Sequence, residues 1–150
     1  MNIIIGAKPP LLEFVGTIIV PKTTCKFSVK NKIVSINHEQ YMVDENFIRY
    51  FLWENNGKIE YPIAEHPLGY ADLSRSSLDN FIIDEIGGEA KVETTLTGMF
   101  LLLDRQNDCR DDVLRNDNNN IFFIKDQYGS VMCTHIWRFL LKWRNEHTYG

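Results

Sequence analysis

Apolar and polar residues change rhythm several times along this chain, and the changes predict a mixed α+β fold. Leu11 to Val20 is nearly all apolar or β-branched and is closed by Pro21, which reads as a buried strand. Cys25, Phe27 and Val29 then alternate with Lys26, Ser28 and Lys30; Asn31-Lys32 turns the chain and Ile33 to Ile36 returns, a hairpin pattern. Phe47 to Glu54 fits a helix behind an Asp44 cap or a strand buried on both faces. The Asn55-Asn56-Gly57 turn and the alternating Lys58-Ile59-Glu60-Tyr61 favour a second hairpin, because Asn-Gly adopts positive φ cheaply. His66-Pro67-Leu68-Gly69 reads as a connector.

The second half begins with a short helix. Ser76 or Ser77 is placed to cap it, Asp79 to complete a capping box, and Leu78, Phe81, Ile82 and Ile86 form one stripe. Gly87 supplies a left-handed stop, after which Ala90 to Leu103 reads as one long strand. From Asp104 to Asn120 the apolar pattern lapses into a loop holding five Asp, three Arg and five Asn. Ile121 to Ile124 gives another strand. Ser130 then caps a C-terminal amphipathic helix whose stripe is Val131, Met132, His135, Ile136, Phe139, Leu140 and Trp143. Gly16 and Gly98 fall inside expected strands and suggest bends, hence a curved, mainly antiparallel, barrel-like sheet that resembles an OB-type or other small half-open barrel.

Length and composition add bounds. At 150 residues the chain fits one domain, 1–150, able to bury roughly 68–70% of its unfolded surface. Cys25, Cys109 and Cys133 are odd in number and far apart, which points away from a disulfide scaffold and towards a reducing, cytoplasmic setting. The early apolar run, Ile3 to Ile5, is too short for a membrane span or a signal core. Net charge is −4 but unevenly spread: residues 1–38 carry five Lys and one Glu, whereas residues 39–117 carry 17 acidic and seven basic residues. An acidic middle repels phosphate and suits a basic protein partner, so nucleic acid and membrane are not expected.

No cofactor loop, metal spacing or nucleophile motif stands out, and no enzymatic role is expected. Cys133 and His135 lie two apart, which on the expected helix turns them about 200° from each other. Asp104, Asp108, Asp111, Asp112 and Asp117 offer oxygen ligands without the EF-hand spacing and with Arg105, Arg110 and Arg115 among them. A small metal-dependent hydrolase using that loop with His66 or His135 is the alternative enzymatic reading. An accessory module assembling through Trp137 and Trp143 is a third. The candidate partner contacts are Trp53 and Tyr61 as anchors, with Glu60, Glu65, Asp72 and the five loop aspartates as the acidic surround.

One layout resembles a known class. Leu78-Asp79-Asn80-Phe81, the Gly87-Gly88 break, Val92, Thr95, Thr97-Gly98-Met99 and Ile121-Phe122-Phe123-Ile124 resemble the order found in bacterial immunity proteins of the polymorphic-toxin type: short helix, Gly-Gly break, strand with Thr-Gly, closing strand. The resemblance spans residues 78–124. It implies a small cytoplasmic protein that binds and blocks a cognate toxin domain, with no catalysis of its own.

Overall fold

The computed structural model describes residues 1–2, 9–35, 45–107, 113–115 and 120–136, and these build an α+β fold around a central helix. Strand β1 (Leu12–Val20) pairs antiparallel with β4 (His66–Leu73) in a two-stranded ribbon. The short strand β2 (Phe27–Ser28) pairs antiparallel with β3 (Ile59–Glu60). A three-stranded sheet runs β5–β6–β7, from β5 (Glu93–Thr94), β6 (Asn120–Lys125) and β7 (Val131–Ile136), with β5–β6 parallel and β6–β7 antiparallel. Among the described residues no sheet closes on itself, so the barrel-like expectation is not met there.

The largest departure from the sequence pattern is residues 90–103. Instead of one long strand, they contain α4 (Glu89–Val92), the two residues of β5, and α5 (Leu96–Asn107). A continuous apolar run does not distinguish a doubly buried strand from a helix buried all round. Here Leu96, Met99, Phe100 and Leu103 are buried at helical spacing, with Thr97, Gly98 and Leu102 also inside, so α5 is a core helix without a wet face along its first two turns. Gly98 thus sits in a helix, whereas Gly16 does mark an irregularity, the register shift in β1 between Phe14 and Gly16.

Four further elements differ. The first expected hairpin is β2 followed by helix α1 (Val29–Ser35): the Ser28 hydroxyl accepts the Asn31 N–H at 3.3 Å, a helix N-cap three residues ahead of its donor. Residues 47–54 begin as helix α2 (Glu45–Phe51) with Phe51 fully buried. Asn55, Asn56 and Gly57 all take positive φ as expected, yet they close that helix instead of joining two strands; Lys58 N–H returns to the Phe51 carbonyl at 2.7 Å. Residues 131–136, placed on the C-terminal helix by sequence, are strand β7, and the remainder of that expected helix lies outside the described residues. His66–Leu73 is a strand, not a connector.

The mid-chain helix α3 (Asp79–Ile86) is where the pattern placed it. Gly87 at φ 116° ends it: Gly88 N–H bonds the Ile83 carbonyl at 2.9 Å and Gly87 N–H the Asp84 carbonyl at 3.1 Å, a Schellman closure. No serine caps its start; Leu78 holds that position without a side-chain hydrogen bond.

Two apolar clusters form the core. In the first, α5 packs through Leu96, Met99 and Phe100 with Val29, Phe51, Phe122 and Ile124, while Phe27 stacks on Phe100 at 5.7 Å between ring centres. In the second, Ile82 of α3 meets Leu11, Val92 and Phe123, flanked by Ile83, Val131 and Cys133. Strand β6 separates them, Phe122 and Ile124 facing one cluster and Phe123 the other, which explains its unbroken apolar sequence.

Glu60 ties these parts together. It is 8% exposed, and its carboxylate accepts Leu96 N–H at 2.9 Å, Thr97 N–H at 2.7 Å and the Thr97 hydroxyl at 2.5 Å, with Lys58 Nζ 3.3 Å away. A negative charge on the open N–H groups of a helix start is favoured both by hydrogen bonding and by the helix dipole. Glu60→Ala leaves those donors buried and unpaired and is expected to lower the unfolding free energy by about 3 kcal/mol. Glu60→Gln, which keeps the acceptor but not the charge, is expected to cost about half as much. Urea unfolding measures both, and equal stabilities for all three proteins would contradict this role.

Candidate interaction platform

The structure distributes the sequence-predicted contacts instead of gathering them. Glu60 is buried and engaged as described, so it offers nothing to a partner. Asp72 is paired with Arg115 and Asp104 with Lys32, each at 2.7 Å, so both charges are locally balanced. Tyr61 is 73% exposed with Lys26 Nζ 5.1 Å from its ring centre, and Glu65 is exposed. Asp108, Asp111, Asp112 and Asp117 lie outside the described residues.

Trp53 is the expected contact that sits in a built site. It projects, 69% exposed, from the turn after α2, and a second turn meets it: residues 126–130, which join β6 to β7. There the Asp126 carboxylate accepts Tyr128 N–H at 2.8 Å and Ser130 N–H at 2.9 Å, and Gly129 takes φ 87° to complete the reversal. The two turns are clasped reciprocally. Glu54 N–H donates to Gln127 Oε1 at 3.0 Å and Gln127 Nε2 donates to the Glu54 carbonyl at 2.6 Å, while Gln127 N–H reaches the Tyr50 carbonyl at 3.1 Å. The Tyr128 hydroxyl donates to Glu54 Oε1 at 2.8 Å, and its ring is 65% exposed.

The result is a pair of exposed aromatic side chains, Trp53 and Tyr128, on turns that hydrogen bonds hold together, with the Glu54 and Asp126 carboxylates on the same two turns. Those carboxylates are felt electrostatically. The hydrogen bond to Glu54, then partial desolvation, then the charges of Glu54 and Asp126 raise the Tyr128 phenol above its ordinary value. Sequence reading picked out Trp53 but passed over Tyr128, whose signal was the Asp126-Gln127-Tyr128-Gly129 turn, hidden by reading Ser130 as a helix cap.

The change of Cys133 and His135 from helix to strand reverses their relation. On β7 residues i and i+2 share a face, and Cys133 Sγ lies 3.2 Å from His135 Nε2. The pair still lacks an activated nucleophile. Burial, then the charge of Asp79 and a hydrogen bond to it, push the Cys133 thiol up to about 12, so the thiolate is scarce at neutral pH. Among the described residues no group of three or more His, Cys, Asp or Glu side chains is arranged to hold a metal ion, and no helix is long and apolar enough to cross a membrane. No protein-family model, curated protein or solved structure matches the chain.

Asp79→Asn removes the charge that opposes ionisation at Cys133. Alkylation of Cys133 at pH 8, mapped by mass spectrometry against the exposed Cys25, is expected to accelerate about tenfold for each unit by which the thiol pKa falls. The same group gives the pH dependence its sign. Its folded-state value lies above the ordinary value of 9.0, so its contribution to stability is complete below about pH 9 and is lost as pH rises towards about 12. Cys133→Ser is expected to flatten that alkaline loss in Tm against pH.

Proposed function

We propose that this chain is a cytoplasmic binding protein that acts by protein–protein contact, seating Trp53 and Tyr128 on a basic protein surface and covering it. The single observation that carries the reading is the clasp between the two turns. An aromatic anchor held in its bound geometry before association loses little conformational entropy on binding, and Trp and Tyr are enriched among the few residues that carry most of an interface's binding energy. Glu54 and Asp126 supply the negative charge that steers a basic partner into register. Tyr61 and Glu65, both exposed, extend the contact surface.

Within that class the role proposed is immunity, the neutralisation of a cognate toxin domain by occluding its working face. The acidic balance of residues 39–117 and the order of α3, the Gly87-Gly88 break and β6 support it. The Thr97-Gly98 element of that layout is helical here, so the support comes from the order of elements and the surface chemistry.

Titration calorimetry of the full chain against candidate toxin domains from the neighbouring reading frames tests this reading. Tight binding is expected, weakening as salt rises. Trp53→Ala is expected to weaken it about 30-fold or more, equivalent to ~2 kcal/mol. Tyr128→Ala should do the same, whereas Tyr128→Phe, which keeps the ring, should cost less. Binding that is unaffected by either alanine change rules the platform out as the contact.

A further inference from the structure

Strand β7 is the outer strand of its sheet, and the hairpin fixes which of its backbone groups point away from β6. Asp126 N–H bonds the Ser130 carbonyl at 2.8 Å, and the Asn120 side-chain amide bonds the Ile136 carbonyl at 3.1 Å. Ladder bonds alternate along an antiparallel pair, so the even-numbered residues of β7 turn their N–H and C=O groups inward. Those of Val131, Cys133 and His135 line the free edge, and among the described residues no main-chain group bonds them there. The side chains of Cys133 and His135 share one face at this edge, Sγ 3.2 Å from Nε2, with His135 exposed and Cys133 half-buried.

We propose that Cys133 and His135 are one half of a zinc site, completed by the same two residues of a second copy whose β7 pairs antiparallel with this one across a two-fold axis at Thr134. Three observations point to it. The donor atoms have the spacing: zinc bonds to nitrogen and sulfur put tetrahedral donors about 3.5 Å apart, close to the separation found here. The register closes the site. Pairing about Thr134 sets Cys133 of one copy directly opposite His135 of the other, and the reverse, so the outward backbone groups bond each other and all four donors fall on one face. The ligand count requires the second copy. Among the described residues no third His, Cys, Asp or Glu is arranged to share a metal ion with this pair, whereas structural zinc takes four ligands. Zinc displaces the thiol protons to solvent on binding, and the charge of Asp79 beside Cys133, unfavourable to a bare thiolate, is favourable to a dication. The proposal is independent of the Trp53–Tyr128 platform, and neither fails with the other.

The test uses the full-length chain, stripped of metal by a chelator and kept reduced with a phosphine. Zinc is expected to convert monomer to dimer in sedimentation velocity with roughly one metal per two chains, and chelator to reverse the change. Cobalt in its place should give the strong visible bands of a tetrahedral site and thiolate-to-cobalt charge transfer in the near ultraviolet. Cys133→Ser and His135→Ala should each abolish the dimer and the cobalt bands, with circular dichroism confirming that the fold is kept. Cys25→Ser with Cys109→Ser should change neither. Should a variant not fold, the stoichiometry and cobalt spectrum of the parent protein still decide. A sedimentation coefficient that zinc leaves unchanged overturns the proposal, as does one zinc bound per chain or a cobalt spectrum without the thiolate band. Zinc-driven dimers that survive Cys133→Ser overturn it too, because other residues then hold the metal.

Discussion

Everything in this fold hangs on how the start of α5 is satisfied. That helix is buried along its first two turns, so its opening N–H groups have no water to turn to, and a charged acceptor must come from elsewhere in the chain. Glu60 is that acceptor, carried 36 residues away on a strand of only two residues. Its own charge is answered by Lys58, whose ammonium also reaches the Lys125 carbonyl at 2.5 Å. One short segment, 58–60, therefore joins the central helix, the β2–β3 pair and the end of β6. This is why an acidic residue that looks like surface in sequence is among the least exposed in the molecule.

Some of the fold was legible in the sequence, and the reasons for success and failure are physical. The Gly87 stop was readable because left-handed backbone is so nearly a glycine property, and strand β6 because its run is short and bounded by polar residues. Residues 96–103 misled because an element buried on all sides erases the polar phase that tells period 3.6 from period 2. At Asn55-Asn56-Gly57 the local conformation was right and its context wrong: positive φ closes a helix as readily as it turns a hairpin. Strand β1 was read as buried, yet Phe14, Val15 and Ile19 are more than half exposed, because its ribbon has only one partner strand and hydrophobicity alone does not reveal what lies opposite.

The site was legible to a smaller degree, because charge counts in a sequence ignore pairing. The acidic middle segment suggested one continuous negative face, but Asp72 and Asp104 spend their charge on Arg115 and Lys32, and Glu60 spends its charge on a helix. The exposed carboxylates of the described residues are scattered, Glu65, Glu54 on the turn after α2 and those around α3 among them. Trp53 was visible as an exposed-type aromatic in a polar turn. Its companion Tyr128 was not, since the clasp between them joins residues about seventy positions apart.

That separation bears on how the chain matures. The first turn leaves the ribosome long before Gln127 exists to hold it, and the second has nothing to grip until the helix before Trp53 is docked on the core. The clasped pair of turns is thus among the last features to appear, present only once both halves of the molecule have met. A nascent or truncated chain exposes the same tryptophan without its frame, so an ordered Trp53 turn reports that synthesis has run past the β6–β7 hairpin.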